Sequence, residues 1–163
     1  MEKNDQELLS ILYRDARTSH DQIARMTGRK AEDVRADIER LEKSGIIKHY
    51  KTIVDWEKAG VEKVTAFINV KVTPARDVGF DDLARRVYRF SEVKSVYLVS
   101  GDADLRVVVE ADTLRHLGQF VAEKLSTING VIGTTTHFML KKYKEDDDIF
   151  VDAEEDNRLV VTP

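Results

Sequence analysis

No cysteine occurs among the 163 residues. Disulfides, thiolate nucleophiles and cysteine-ligated zinc or iron–sulfur centres are thereby excluded together. Long apolar runs are also missing. Val107-Val108-Val109 and Tyr97-Leu98-Val99 fall far short of the ~20 residues that a membrane span requires. Gly28, Gly45 and Gly60 stand singly, so there is no glycine-rich phosphate loop. His20, His49, His116 and His137 are scattered, without the HExxH spacing of a zinc protease. Ser100 precedes Gly101, but a nucleophile elbow also needs a glycine at position 98, which is Leu98. Asp102 and Asp104 place two carboxylates on one short segment with no third clustered ligand, a poor cation site. These absences point away from an enzyme, a metal site or a cofactor. At the start, Met1-Glu2-Lys3-Asn4-Asp5 carries acid where a signal peptide needs positive charge before an apolar stretch. The expectation is a soluble cytoplasmic protein with no membrane partner.

Hydrophobic residues make up 42% and charged residues 34%, enough apolar material for a folded core and a length suited to one ordinary domain or two small ones. The net charge of −4 is unevenly spread. Residues 1–50 sum to 0, residues 51–144 to +3 and residues 145–163 to −7. The acidity therefore belongs to the end of the chain, where Glu145-Asp146-Asp147-Asp148 reads as a solvated run.

Three short helices are predicted in the first fifty residues. Asn4 with Glu7 has the spacing of an N-cap and its reciprocal partner, ahead of Leu8, Leu9, Ile11 and Leu12 at helical spacing, and this helix is expected to end near Arg17. Ser19 with Gln22 repeats the capping pattern, and Ile23, Ala24 and Met26 form a short apolar face stopped by Gly28. A third helix is predicted over residues 30–44, with Val34, Ile38 and Leu41 as its buried stripe and Gly45 closing it. Such a unit is a helix-turn-helix. Its third helix would present Arg29, Lys30, Glu32, Asp33, Arg35, Ala36, Glu39 and Arg40 to the major groove, with Gln22 near the DNA backbone. Basic side chains reach guanine edges or phosphates, and acids accept from cytosine amino groups. Asp37, beside that face, is expected to repel phosphate. The rival reading is a helical bundle that binds protein or dimerises.

Residues 46–56 read as an extended hinge strand. Val64, Ala66, Ile68, Val70 and Val72 alternate over residues 63–73, the pattern of a half-buried strand ended by Pro74. A helix with Phe80, Leu83, Ala84 and Val87 follows over residues 79–90. Strands are predicted at 93–100 and 105–111, separated by a turn at Gly101-Asp102-Ala103-Asp104. A second helix carries Leu114, Leu117, Phe120, Val121 and Leu125 and stops near Asn129-Gly130, and a last strand covers 131–140. Strand, helix, strand, strand, helix, strand specifies an α+β, ferredoxin-like βαββαβ fold with two helices on one sheet face. Phe67, Tyr97, Val99 and Val108 alternate on the other face, which suggests that a second subunit covers it. The expected divisions are residues 1–48 for the helix-turn-helix (winged-helix-like) domain, 49–62 for the hinge strand and linker, 63–142 for the ferredoxin-like domain and 143–163 for an acidic tail.

This order of parts resembles the Lrp/AsnC (feast/famine) family of transcriptional regulators. The resemblance runs from residue 5 to about 142. Arg17-Thr18-Ser19-His20-Asp21-Gln22-Ile23-Ala24 resembles the opening of that family's second helix, and Arg40-Leu41-Glu42-Lys43-Ser44-Gly45-Ile46-Ile47 resembles the exit of its third. Leu98-Val99-Ser100-Gly101-Asp102-Ala103-Asp104-Leu105 is similar to the family's ligand-sensing turn, and Gly130-Val131 with Thr134, Thr136 and Leu140 to its last strand. This chain has Arg29-Lys30 where the family usually has Leu-Ser, which removes a side-chain cap worth roughly 1 kcal/mol. Asp37 stands where arginine is common, and Ala103 where tyrosine is often found. The resemblance implies a regulator that binds double-stranded DNA. Its homodimers would pair through the sheets and assemble further, an octamer being one such form. A small amino acid is the implied effector, bound around Ser100, Gly101, Asp102, Ala103, Asp104, Thr134 and Thr136. Glycine at 101 allows close approach to the backbone, and Asp102 or Asp104 can pair with an ammonium. The alternative is a ligand-sensing oligomer that acts through a protein partner with little DNA affinity of its own; a structural assembly protein is a third.

Overall fold

The computed structural model describes residues 3–73 and 79–151. The chain divides into two compact units, Met1–Val54 and Asp55–Pro163.

The first unit contains α1 (Lys3–Arg14), α2 (His20–Thr27) and α3 (Ala31–Lys43). Leu8, Leu12, Ile23, Ala24, Val34, Ile38 and Leu41 form its core. Two boundaries of α1 differ from expectation. Asn4 lies inside the helix rather than capping it, and the helix stops at Arg14, short of Arg17. Asp15 explains the early stop. Its carboxylate accepts from the Arg17 amide at 2.8 Å and its carbonyl from the Thr18 hydroxyl at 2.8 Å, a local turn that competes with helix continuation. The start of α2 follows the sequence. The Gln22 amide donates to the Ser19 hydroxyl, and the Gln22 side chain accepts from the Ser19 amide at 2.9 Å. At its end Gly28 takes φ +67°, the left-handed conformation that glycine adopts without a steric penalty.

The expected hinge strand is absent from the described residues of 46–56. An extended segment becomes a strand only when a neighbouring ladder accepts its backbone, and among the described residues no strand pairs with it. Instead a turn forms at residues 55–60, where the Lys58 amide donates to the Asp55 carboxylate and Gly60 has φ +74°.

The second unit contains β1 (Val64–Val72), α4 (Phe80–Val87), β2 (Val93–Leu98), β3 (Leu105–Ala111), α5 (Leu114–Gln119) continuing into a π-helical segment (Phe120–Leu125), β4 (Val131–Phe138), β5 (Lys144–Glu145) and β6 (Asp148–Ile149). The main sheet has the order β2-β3-β1-β4 with every neighbour antiparallel. This is the expected ferredoxin-like arrangement. Ala66, Ile68, Val70 and Val72 point to the helix-covered face, where they pack with Leu83, Val87, Val107, Leu117, Phe120 and Leu125. Phe67 and Tyr97 are exposed on the other face, while Val99 and Val108 are half-buried. Pro74, expected to end the first strand, lies outside the described residues.

Two features were not expected. The second helix changes from α to π at Phe120. Its buried positions are Leu117, Phe120 and Leu125, and the final interval of five residues matches a π turn rather than an α turn. The acidic run is exposed, as read, but it also forms the turn of a hairpin. Asp146 and Asp147 have φ of 45° and 73°, the two successive positive values of a tight hairpin turn that aspartate tolerates. Lys144 pairs with Asp147 at 2.9 Å and Lys142 with Glu145 at 2.5 Å. Residues from 152 onward lie outside the described part of the expected tail.

Candidate functional site

The face of α3 that could meet DNA is set by its buried stripe. Val34, Ile38 and Leu41 hold one side in the core, which leaves Glu32, Asp33, Arg35, Ala36, Glu39 and Arg40 exposed. Lys30 occupies the N-cap position with extended backbone, φ −81° and ψ 145°, and makes no side-chain cap. The side chain of Gln22, a candidate backbone contact, is engaged in the α2 capping box.

Arg29 is placed differently from the expectation. Its side chain is only 18% exposed, and its guanidinium bonds the carboxylate of Asp37. Arg29 Nη1 is buried without a hydrogen-bond partner among the described residues, so the group points into the unit. Arg40 reaches the same carboxylate at 3.0 Å and Asp5 at 2.5 Å. Asp5 belongs to α1 and its side chain is 5% exposed. Four charges thus tie α1, the α2–α3 turn and α3 together. The Arg29 guanidinium, and then that of Arg40, hold the Asp37 carboxyl below its ordinary range, while Asp5 and then Asp37 raise Arg40. Asp37 is therefore a paired internal group, where the sequence suggested an acid open to the groove. Asp5 was missed altogether. Its spacing of three from Leu8 and seven from Leu12 places an acid on the buried stripe of α1, a signal that was available.

The second candidate site lies where β1 ends. The residues 101–104 turn joins β2 to β3, and its Gly101 has φ +127°. Ser100, Gly101 and Asp102 are exposed, whereas Ala103 is buried. Asp104 is half-buried and built into the fold. Its amide donates to the Val70 carbonyl at 3.1 Å, its carbonyl accepts from Val99 at 2.9 Å, and its carboxylate Oδ2 accepts from the Val72 amide at 2.8 Å. Leu105 and Thr134 flank Val70 from opposite sides, about 10 Å apart across two strand spacings. The turn and Thr134 thus share one end of the sheet. Thr134 also lies 3.3 Å from the Ser126 hydroxyl. Thr136 pairs with Ile68, one step further into the sheet and away from the turn. Exposed Leu98 and Ile132 stand beside these groups. Hydroxyls, one open carboxylate and apolar side chains beside a positive-φ glycine can receive a small zwitterion with an apolar side chain.

At the opposite end of β1, Lys63, Lys94, Glu92, Glu110 and His116 line a cleft of about 160 Å³. Its charges face each other: Glu110 lies 4.0 Å from Lys63 and 3.9 Å from Lys94, and Glu92 lies 2.6 Å from Lys124. No group of three or more histidines and carboxylates suited to a metal occurs among the described residues. No helix among them is long and apolar enough to cross a membrane.

Residues 65–149 match the Lrp/AsnC ligand binding domain, and residues 1–48 match a winged helix-turn-helix DNA-binding domain. The first match extends past residue 142 and takes in the β5–β6 hairpin. The HTH-type transcriptional regulator YugG of Bacillus subtilis, itself uncharacterized, is 47% identical over 162 residues, covering 99% of this chain and 98% of that protein. Two solved structures share the fold. A transcriptional regulator of Neisseria meningitidis in complex with L-methionine has a TM-score of 0.73 at 23% identity, covering 89% of this chain and 93% of that one. The feast or famine regulatory protein of Mycobacterium tuberculosis, complexed with L-methionine, has a TM-score of 0.74 at 23% identity, covering 92% and 99%.

Proposed function

Since the chain belongs to the Lrp/AsnC family of transcriptional regulators, we propose that it is a DNA-binding regulator whose assembly and DNA affinity respond to an amino acid. The observation that carries the reading is the helix pair around Gly28, which buries one side of α3 and leaves the other open. DNA contact is assigned to Lys30, Arg35 and the acids Glu32 and Asp33, with Ala36 allowing close approach and Gln22 at the backbone. The effector is assigned to Ser100, Gly101, Asp102 and Thr134, with Ala103, Asp104 and Thr136 shaping the floor beneath it. L-Methionine in the two neighbouring complexes supports an amino acid as ligand. It acts as an effector and not as a cofactor. Homodimers form through the open sheet face and assemble further, with an octamer as one such form, in the cytoplasm. The ligand works by favouring one assembly over another, and so changes how many helix-turn-helix units meet DNA at half-site spacing.

The test is a titration of a labelled duplex from the gene's own upstream region against scrambled competitor, with and without pooled amino acids, paired with sedimentation. Specific binding that shifts with the pool, together with a change in oligomer size, is expected. Specific binding indifferent to the pool would remove the effector, and pool-dependent assembly without duplex binding would transfer the role to a partner-dependent sensor.

A further inference from the structure

The α2–α3 turn and α3 offer three arginine side chains near the DNA face besides Lys30, namely Arg29, Arg35 and Arg40, yet the structure does not leave them equivalent. Arg35 projects from the exposed face. Arg29 and Arg40 converge on the single carboxylate of Asp37, with Arg40 also held by Asp5. The Arg29 side chain, 18% exposed, is turned away from solvent, while Arg40, 50% exposed, is held by two carboxylates; a guanidinium whose charge is met in this way within the protein adds little to phosphate neutralisation. From this geometry we propose that Asp37 is a positioning residue that withholds Arg29 and Arg40 from DNA, so that α3 meets the duplex through Arg35 and its neighbouring acids. The recognition helix then contributes little sequence-independent attraction. Discrimination between operator and bulk DNA improves, because the contacts that remain are directed at base edges. Asp37 also aligns α3 against α1 through the Arg40–Asp5 pair, which fixes the angle at which Arg35 enters the groove.

The slope of log affinity against log salt counts phosphates neutralised, at about 0.9 per contact, and a loss of folded protein that does not vary with salt leaves it unchanged. The experiment measures that slope for the native chain, Arg29→Leu, Asp37→Asn and the double variant, on the upstream duplex and on a scrambled one. Asp37→Asn keeps the shape and removes the charge. It is expected to steepen the slope by about one to two, to tighten scrambled-duplex binding most, and so to lower the ratio between the two duplexes. Arg29→Leu alone is expected to leave the native slope unchanged, but to remove about 0.9 in the Asp37→Asn background. An equal fall in both backgrounds would mean that Arg29 already rests on a phosphate and would overturn the proposal. If Asp37→Asn fails to fold, the Arg29→Leu slope decides alone. No duplex binding by either the native chain or Asp37→Asn overturns the proposal and the DNA-binding assignments together, whereas binding with additive slopes overturns the proposal only.

Discussion

Glu92 and Asp104 are both carboxylates that the fold has put to structural use, and they differ in how their roles can be tested. The Glu92 side chain is 7% exposed and bonds Lys124 at 2.6 Å and the Ser91 hydroxyl at 3.1 Å. Lys124 is the main reason that its carboxyl is lowered from 4.5 to about 2. A depressed folded value means that the pair stabilises the protein above the unfolded value of 4.5, and that this contribution is lost as pH falls from 4.5 toward 2. Lys124 is 47% exposed, and solvent screening reduces the contribution to about 1–2 kcal/mol. Glu92→Gln should therefore lower the urea-unfolding free energy by that amount at pH 7, with the difference closing below pH 4.5; a difference that stays constant down to pH 2 would show that packing, not charge, is responsible. Asp104 supplies the carboxylate oxygen that satisfies the Val72 amide. Asp104→Ala orphans that amide and should cost about 1–2 kcal/mol. Asp102, exposed on the same turn, should behave in the opposite way: Asp102→Asn should leave the unfolding midpoint unchanged and weaken amino-acid binding in calorimetry. If Asp102→Asn bound the amino acids with native affinity, the ammonium contact would have to be reassigned.

At the scale of elements, α3 begins without the side-chain cap that α2 has, although its N-cap backbone is already in cap geometry. Lys30→Ser should donate the missing acceptor to the first turn and stabilise the unit by about 0.5–1 kcal/mol. The same change deletes a cation at the DNA face, so the salt slope of duplex binding should fall by about 0.9 while unfolding shifts to higher urea. Unfolding and binding moving together in one direction would contradict this separation. The elements legible in the sequence were those whose information is local and periodic. Alternation from Val64 to Val72 marked a strand buried on one face, and the Ser19–Gln22 box with Gly28 bounded α2 almost to the residue. The elements missed depended on something else. The π segment follows from the need to bury Leu125 five residues after Phe120, a spacing that a search for intervals of three and four passes over. The hairpin at Lys144–Ile149 rests on positive φ at two aspartates and on lysine partners across the turn, whereas a run of four acids reads as solvated. At the candidate DNA face, residue types located the surface, but the Asp5–Arg40–Asp37–Arg29 connection spans 35 positions and only the fold could reveal it. The same limit applies at the effector turn, where Asp104 carried the right chemistry and its bond to Val72 lay 32 residues away.

For the whole molecule, the two units place opposite demands on binding. The first fifty residues carry no net charge, and two of the arginines near the DNA face are tied to aspartates. A single such unit gains little from phosphate neutralisation, so the proposed function relies on several units acting together on DNA. In the assembly proposed above they are brought together by the sheet face that carries exposed Phe67 and Tyr97, with polar neighbours such as the Arg106–Asn69 pair, whose Nε to Oδ1 distance is 3.2 Å. Phe67 lies on the central strand opposite Val108 and His137, so a charge there would be buried in any sheet-to-sheet dimer, yet would remain solvated in a monomer. Phe67→Glu should therefore yield a folded monomer in sedimentation at micromolar concentration. Its duplex affinity should fall by about 10²-fold or more, since linked sites lose the advantage of effective concentration. The salt slope per bound chain should stay native, because no residue of α3 has changed. A Phe67→Glu protein that kept the native oligomeric size would place the dimer contact elsewhere, and a monomer that bound the duplex with native affinity would show that one helix-turn-helix unit suffices.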